Sequence, residues 1–117
     1  SYELQILESY GRPPESNGAG SIYLKEPPDT NAGLPTRTWQ TYDIEFHAAR
    51  FDASGKKTEN ARITVSWNGK MVHKNVPIDS PTGAGKPEDP APGHIKLQDH
   101  GDPGPNPRFR NIWIERL

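Results

Sequence analysis

Ala61-Arg-Ile-Thr-Val-Ser-Trp67-Asn68-Gly69-Lys70-Met-Val-His73-Lys-Asn-Val76 is the stretch that decides the fold. Two runs rich in β-branched and aromatic residues, 61–67 and 71–76, flank Asn68-Gly69. Asn-Gly between two such runs is a strong short hairpin signal, because both residues tolerate the positive φ that a tight hairpin turn demands. Upstream, Thr38–Ala48 carries Trp39, Tyr42, Ile44 and Phe46 and reads as another strand. Ala53-Ser54-Gly55, within 52–56, marks a turn. At the start of the chain, Tyr2, Leu4 and Ile6 alternate with Glu3, Gln5 and Leu7, the period of a half-buried strand. Gly20–Lys25 reads as a short strand stopped by Pro27-Pro28, and His94–Gln98 and Arg108–Arg116 read as the last two. No window has helical periodicity.

The expectation is therefore a single all-β domain over residues 1–117, a sandwich or jelly roll of about seven strands. The chain has 117 residues, 31% hydrophobic, with 11 glycines and 13 prolines. Glycine and proline cluster in 11–18, 31–35, 79–92 and 101–107, between the patterned runs. They read as loops on a β scaffold, and loops longer than about 12 residues in a compact domain are usually functional.

Charge and residue usage exclude several classes. Lys and Arg number 14 against 15 Asp and Glu, so no basic field attracts a nucleic-acid backbone. No apolar run reaches the roughly 18 residues of a membrane span. The chain contains no signal-peptide pattern, and it opens with Ser1-Tyr-Glu-Leu inside a strand-like alternation, as expected if a leader has been removed or an N-terminal half is missing. Cysteine is absent, which removes disulfides, thiolate zinc sites and thiol catalysis. There is no phosphate-cradling glycine loop, no Gly-x-Ser-x-Gly and no His-Glu-x-x-His.

The polar residues that could carry chemistry lie near both ends. On a strand, His94, Lys96, Gln98 and His100 share one face, and Glu3 and Gln5 offer a matching one. Together they could bind sugar hydroxyls, hold a metal or transfer protons; equally, both could be solvated strand faces. Trp39, Trp67 and Trp113 could each stack on a sugar or fill the core. Arg108, Arg110 and Asn111 could clamp an anion or a sugar, or make surface ion pairs. His47 and His73 read as structural or exposed.

Several runs in order resemble one family. They are Tyr2-Glu-Leu-Gln-Ile-Leu-Glu8-Ser-Tyr-Gly11, Trp39-Gln-Thr-Tyr-Asp-Ile44, Arg50-Phe-Asp52, Asn60-Ala-Arg-Ile-Thr-Val65, Asn68-Gly69, His73-Lys-Asn-Val76, Leu97-Gln-Asp-His-Gly101 and Arg108-Phe-Arg-Asn-Ile-Trp-Ile114. This set is similar to the second half of the 3-keto-disaccharide hydrolase domain. The resemblance implies a concanavalin-like jelly roll in compact or truncated form, and an exported bacterial protein. The family's N-terminal strands are missing here, so the chain is either a fragment or a reduced version whose homodimer would complete the sandwich and protect its bare edge. The implied reaction removes the C2 proton of a 3-keto-glycoside, eliminates the C1 substituent and adds water. A divalent metal ion or hydrogen-bond donors would stabilise the enediolate. The resemblance casts His100 as acid/base or metal ligand and Glu3 as second carboxylate or metal ligand. Gln5, Gln98, Arg110 and Trp39 would hold the glycoside or polysaccharide. Two other readings stay open: a carbohydrate-binding module without catalysis, and a copper-dependent oxidative enzyme using two or three of the histidines.

Overall fold

The computed structural model describes residues 1–101, 103 and 106–117. Asp102, Gly104 and Pro105, part of the loop expected over 101–107, lie outside them. Among the described residues there is no helix, and every paired strand is antiparallel. The strands are β1 (Tyr42–His47), β2 (Arg50–Phe51), β3 (Lys57–Glu59), β4 (Ala61–Trp67) and β5 (Lys70–Ile78). β1, β4 and β5 form one sheet in the order β1-β4-β5, and β2 and β3 form a small second one. The all-β architecture read from the sequence is the one observed.

The β4–β5 hairpin forms as its sequence dictates. Asn68 and Gly69 both have positive φ, 51° and 77°, the pairing that matches the twist of the flanking strands. β4 alternates cleanly: Ala61, Ile63, Val65 and Trp67 are buried, and the residues between them are not. β5 does not alternate. Register shifts interrupt its pairing with β4, Asn75 takes φ 48°, and its N–H donates to Thr64 Oγ1 at 2.9 Å. A bulge of this kind re-aims side chains, and here the consecutive residues Val72 and His73 are both buried. His73 shares a 2.7 Å hydrogen bond between its Nε2 and the Gly20 carbonyl. It is a structural histidine.

The layer facing the sheet is irregular. Residues 1–8 and 20–25, expected as strands, make only isolated bridges, Leu4 with Ile22 and Ile22 with Glu26. This layer still delivers Ala19, Ile22 and Ala32 to the core against Ile63, Val65, Trp67, Val72 and Ile78, with Leu4 partly buried beside them. Trp67 organises this contact. A Cβ on Gly20 would come within 2.9 Å of the indole, and one on Gly33 within 3.2 Å, so the chain passes the ring only where side chains are absent. Tyr42 stacks on Trp67 with centroids 5.5 Å apart and an interplanar angle of 11°. Burial raises the Tyr42 hydroxyl pKa far above its ordinary value.

The two final strands expected from the sequence are not present. Residues 94–98 and 108–116 are exposed and join no ladder. Their alternation is real, but a strand persists only if its backbone groups find partners, and no neighbouring strand meets them. Trp113 is accordingly 74% exposed. β1 shows the same shortage. Ile44 and Phe46 pair with the buried Val65 and Ile63 and so lie on the core face, yet they are 52% and 41% exposed. The irregular layer covers β4 and β5 and reaches β1 only in part, with the Tyr2 ring 5.5 Å from that of Phe46.

A polar clasp closes the long 79–92 loop onto the rest. The Glu88 carboxylate accepts from Tyr2 Oη and, at 2.7 Å, from Lys57 Nζ. Lys57 also donates to the Asp79 carbonyl. Burial alone would push Glu88 up, but the Lys57 and Tyr2 hydrogen bonds outweigh it and hold the carboxyl below its ordinary value. Tyr2 is driven far above its usual value, by burial first and then by Glu88.

Two outcomes follow for stability. Trp67→Ala should cost about 3–5 kcal/mol in denaturant unfolding, the usual range for a buried tryptophan. Glu88→Gln should cost about 1–3 kcal/mol at pH 7. A carboxyl whose pKa is depressed by folding stabilises above its unfolded pKa and loses that contribution as pH falls through its folded value. The gap between wild type and Glu88→Gln should therefore be wide at neutral pH and close in acid, read from unfolding curves across pH.

Candidate functional site

The six residues expected to form the site, Glu3, Gln5, Trp39, Gln98, His100 and Arg110, are all partly or fully exposed. They fall into two pairs and two singles.

Trp39 and Arg110 form the first pair. The Arg110 guanidinium carbon lies 3.8 Å from the centroid of a Trp39 ring, a cation–π contact. It ties the C-terminal segment to the segment before β1. Trp39 remains 49% exposed, so much of the indole is open to a ligand. The next residue, Gln40, fixes this segment from below. Its Oε1 accepts from Trp67 Nε1 and Asn68 Nδ2, both at 3.0 Å, and from the Leu34 N–H at 3.2 Å. Asn68 holds the same segment again, its Oδ1 accepting from the Thr41 N–H at 2.9 Å. The hairpin turn thus positions Trp39. Gln40 was not singled out by sequence, and nothing in its local pattern marks an amide that serves three donors.

Gln98 and His100 form the second pair, with the Gln98 amide Nε2 donating to His100 Nε2. The two-residue spacing brings them together as expected, although the segment is an exposed extended stretch rather than a paired strand. Glu3 and Gln5 stand apart. Their backbones anchor the first segment: the Glu3 carbonyl accepts from the Tyr23 N–H at 3.1 Å, and the Gln5 N–H donates to the Ser21 carbonyl at 2.9 Å. Among the described residues, no hydrogen bond or ion pair joins the Glu3 side chain to His100.

The donor set bears on the metal. Among the described residues no three His, Asp or Glu side chains converge. The histidines are also dispersed: His73 is buried on Gly20, His47 shares a 2.8 Å contact with Glu45, His100 meets Gln98, and His94 is exposed.

No curated protein matches the chain. Among solved structures, a crystal structure of a "putative glycosyl hydrolase" from Parabacteroides distasonis ATCC 8503 is similar, with a TM-score of 0.67 and 31% sequence identity. The match covers 79% of this chain and 40% of that one, so this chain spans well under half of its structural relative. Residues 1–115 match the family described as the 3-keto-alpha-glucoside-1,2-lyase-like domain. With almost its whole length inside that match and an all-β fold like that of the hydrolase structure, the chain belongs to the 3-keto-alpha-glucoside-1,2-lyase-like family.

Proposed function

We propose that this chain is a carbohydrate-active, glycosyl hydrolase-like domain that receives a 3-keto-glycoside on its open surface and cleaves it by elimination and hydration. The observation that carries the reading is the family match over residues 1–115, and the Trp39–Arg110 stack and the Gln98–His100 pair supply groups suited to it. The hydrolase-like fold supports it. A glycoside substrate also fits the exported location that the family implies. No helix is long and apolar enough to cross a membrane among the described residues.

In this reading the open part of Trp39 stacks on the sugar ring, and Arg110 and Gln5 orient its hydroxyls. His100 moves the protons. A ketone at C3 acidifies the C2–H bond. The base takes that proton, and the electron pair enters the enolate. As the C1–O bond breaks, the pair forms the C1=C2 double bond and the leaving oxygen takes a proton. Water then adds at C1 and a proton returns to C2, so atoms balance. Gln98 suits this cycle when its amide oxygen accepts from His100 Nε2–H: Nδ1 is then free as the base, and the imidazolium formed by taking the C2 proton donates it from Nδ1 to the leaving oxygen.

A second reading is a glycoside-binding domain without turnover, and the separation of the Glu3 carboxylate from His100 favours it. One comparison divides the two. His100→Ala should lose at least about 100-fold in release of the C1 group from a 3-keto-glucoside, the usual worth of a positioned acid–base group. Its unfolding curve should not change, because His100 is exposed. Undiminished release by the variant would remove His100 from the mechanism. Sugar binding with no release by wild type would leave the binding reading.

A further inference from the structure

We infer that residues 94–98 are a strap that closes onto the free edge of β1 as a fourth, antiparallel strand of the main sheet, and that the structure holds it open; the inference does not depend on the glycoside reading above.

The edge is ready for such a strand. β1 is the outer strand in the order β1-β4-β5, and its far edge makes no backbone hydrogen bond among the described residues. An open edge of this kind is a template for another strand. Its two faces carry different rows. Tyr42, Ile44 and Phe46 lie on the core face, where Ile44 and Phe46 stay exposed. Asp43 and Glu45 lie on the other face, exposed as well. Residues 94–98 carry the complement: Ile95 and Leu97, both exposed, alternate with His94, Lys96 and Gln98. An apolar row and a basic row therefore wait beside an apolar row and an acidic one.

The path of the chain sets the direction. Glu88 accepts from Tyr2, whose ring lies 5.5 Å from that of Phe46, near the end of β1. Arg110 stacks on Trp39, just before the start of β1. The chain between 88 and 110 is thus tied near both ends of β1 and passes it in the opposite sense. Two ties also keep the strap at high local concentration beside the edge. One antiparallel register sets Ile95 opposite Phe46 and Leu97 opposite Ile44, which covers both exposed apolar residues of β1. The same register sets Lys96 opposite Glu45 and Gln98 opposite Asp43, and opposite charges paired across strands are favourable. A slip of one residue would send Ile95 and Leu97 to the outer face. A second copy suits this edge less well. β1 against β1 with the core faces aligned sets Asp43 opposite Glu45, or Glu45 opposite itself, and like charges so opposed are destabilising. Continued two residues further, the register sets His100 opposite Thr41, so closing carries the Gln98–His100 pair toward Trp39.

The chain has no cysteine, so engineered cysteine pairs in the full chain test the strap without interference. Under mild oxidation, Ile44→Cys with Leu97→Cys should form an internal disulfide at least about tenfold faster than Glu45→Cys with Leu97→Cys, because only the first pair shares a face at bonding distance. Phe46→Cys with Ile95→Cys should match the first pair. Adding Lys96→Glu to the first pair should slow its closing, and adding Lys96→Arg should not. The near-ultraviolet circular dichroism of the Tyr42–Trp67 stack checks that each variant is folded. Equal rates for the 44–97 and 45–97 pairs would overturn the inference, since a loose chain does not distinguish the two faces. Disulfide-linked dimers in place of the internal bond would also overturn it and assign the edge to a second copy.

Discussion

The indole of Trp67 is the constraint on which the rest of the structure depends. It ends β4, stacks on Tyr42 at the start of β1 and donates to Gln40 at 3.0 Å. Its ring edge sets where the irregular layer can pass, through Gly20 and Gly33. A large aromatic with one polar atom suits this junction. It fills volume between sheet and loops, and its single N–H fixes the orientation. The outer half of the candidate site inherits that order. Gln40 is bonded to Trp67 and Asn68, and Trp39 is its immediate neighbour, so the platform for a ligand stands on the core.

Legibility in the sequence follows from how local each determinant is. The hairpin was readable because Asn68-Gly69 states its backbone requirement in two residues and β4 alternates without a break. β1 was readable from Tyr42, Ile44 and Phe46. The terminal segments were not. Alternation in 94–98 and 108–116 records which face would be buried, but not whether a partner strand is there to bury it. The three tryptophans make the same point. Trp67 is buried, Trp39 half-exposed and Trp113 largely exposed, and residue type alone does not separate them. The β5 bulge was hidden because it depends on Asn75 reaching Thr64. The Tyr2–Glu88–Lys57 clasp joins positions as far as 86 residues apart, beyond any spacing rule.

Of the six residues chosen for the candidate site from residue type, alternation and family resemblance, two pairs meet, Trp39 with Arg110 and Gln98 with His100. The contact between Glu3 and His100 that a two-residue acid–base or metal site would need is missing among the described residues. The three-ligand geometry of a metal centre is missing too. Pairing at short spacing, as between Gln98 and His100, follows from backbone geometry alone. Pairing between the chain's two ends requires the fold to bring them together, and here the first segment is held by Ser21 and Tyr23 while residues 93–101 run free of the sheet.

The central proposal is that this domain performs chemistry at C2 of an oxidised glycoside. It is tested most directly by proton NMR of a 3-keto-glucoside and its unoxidised parent, each incubated with the protein in deuterium oxide. The account predicts loss of the C2 proton signal together with release of the C1 group, from the keto compound alone. A C2 signal that persists at the uncatalysed rate, or release from both compounds alike, would contradict it.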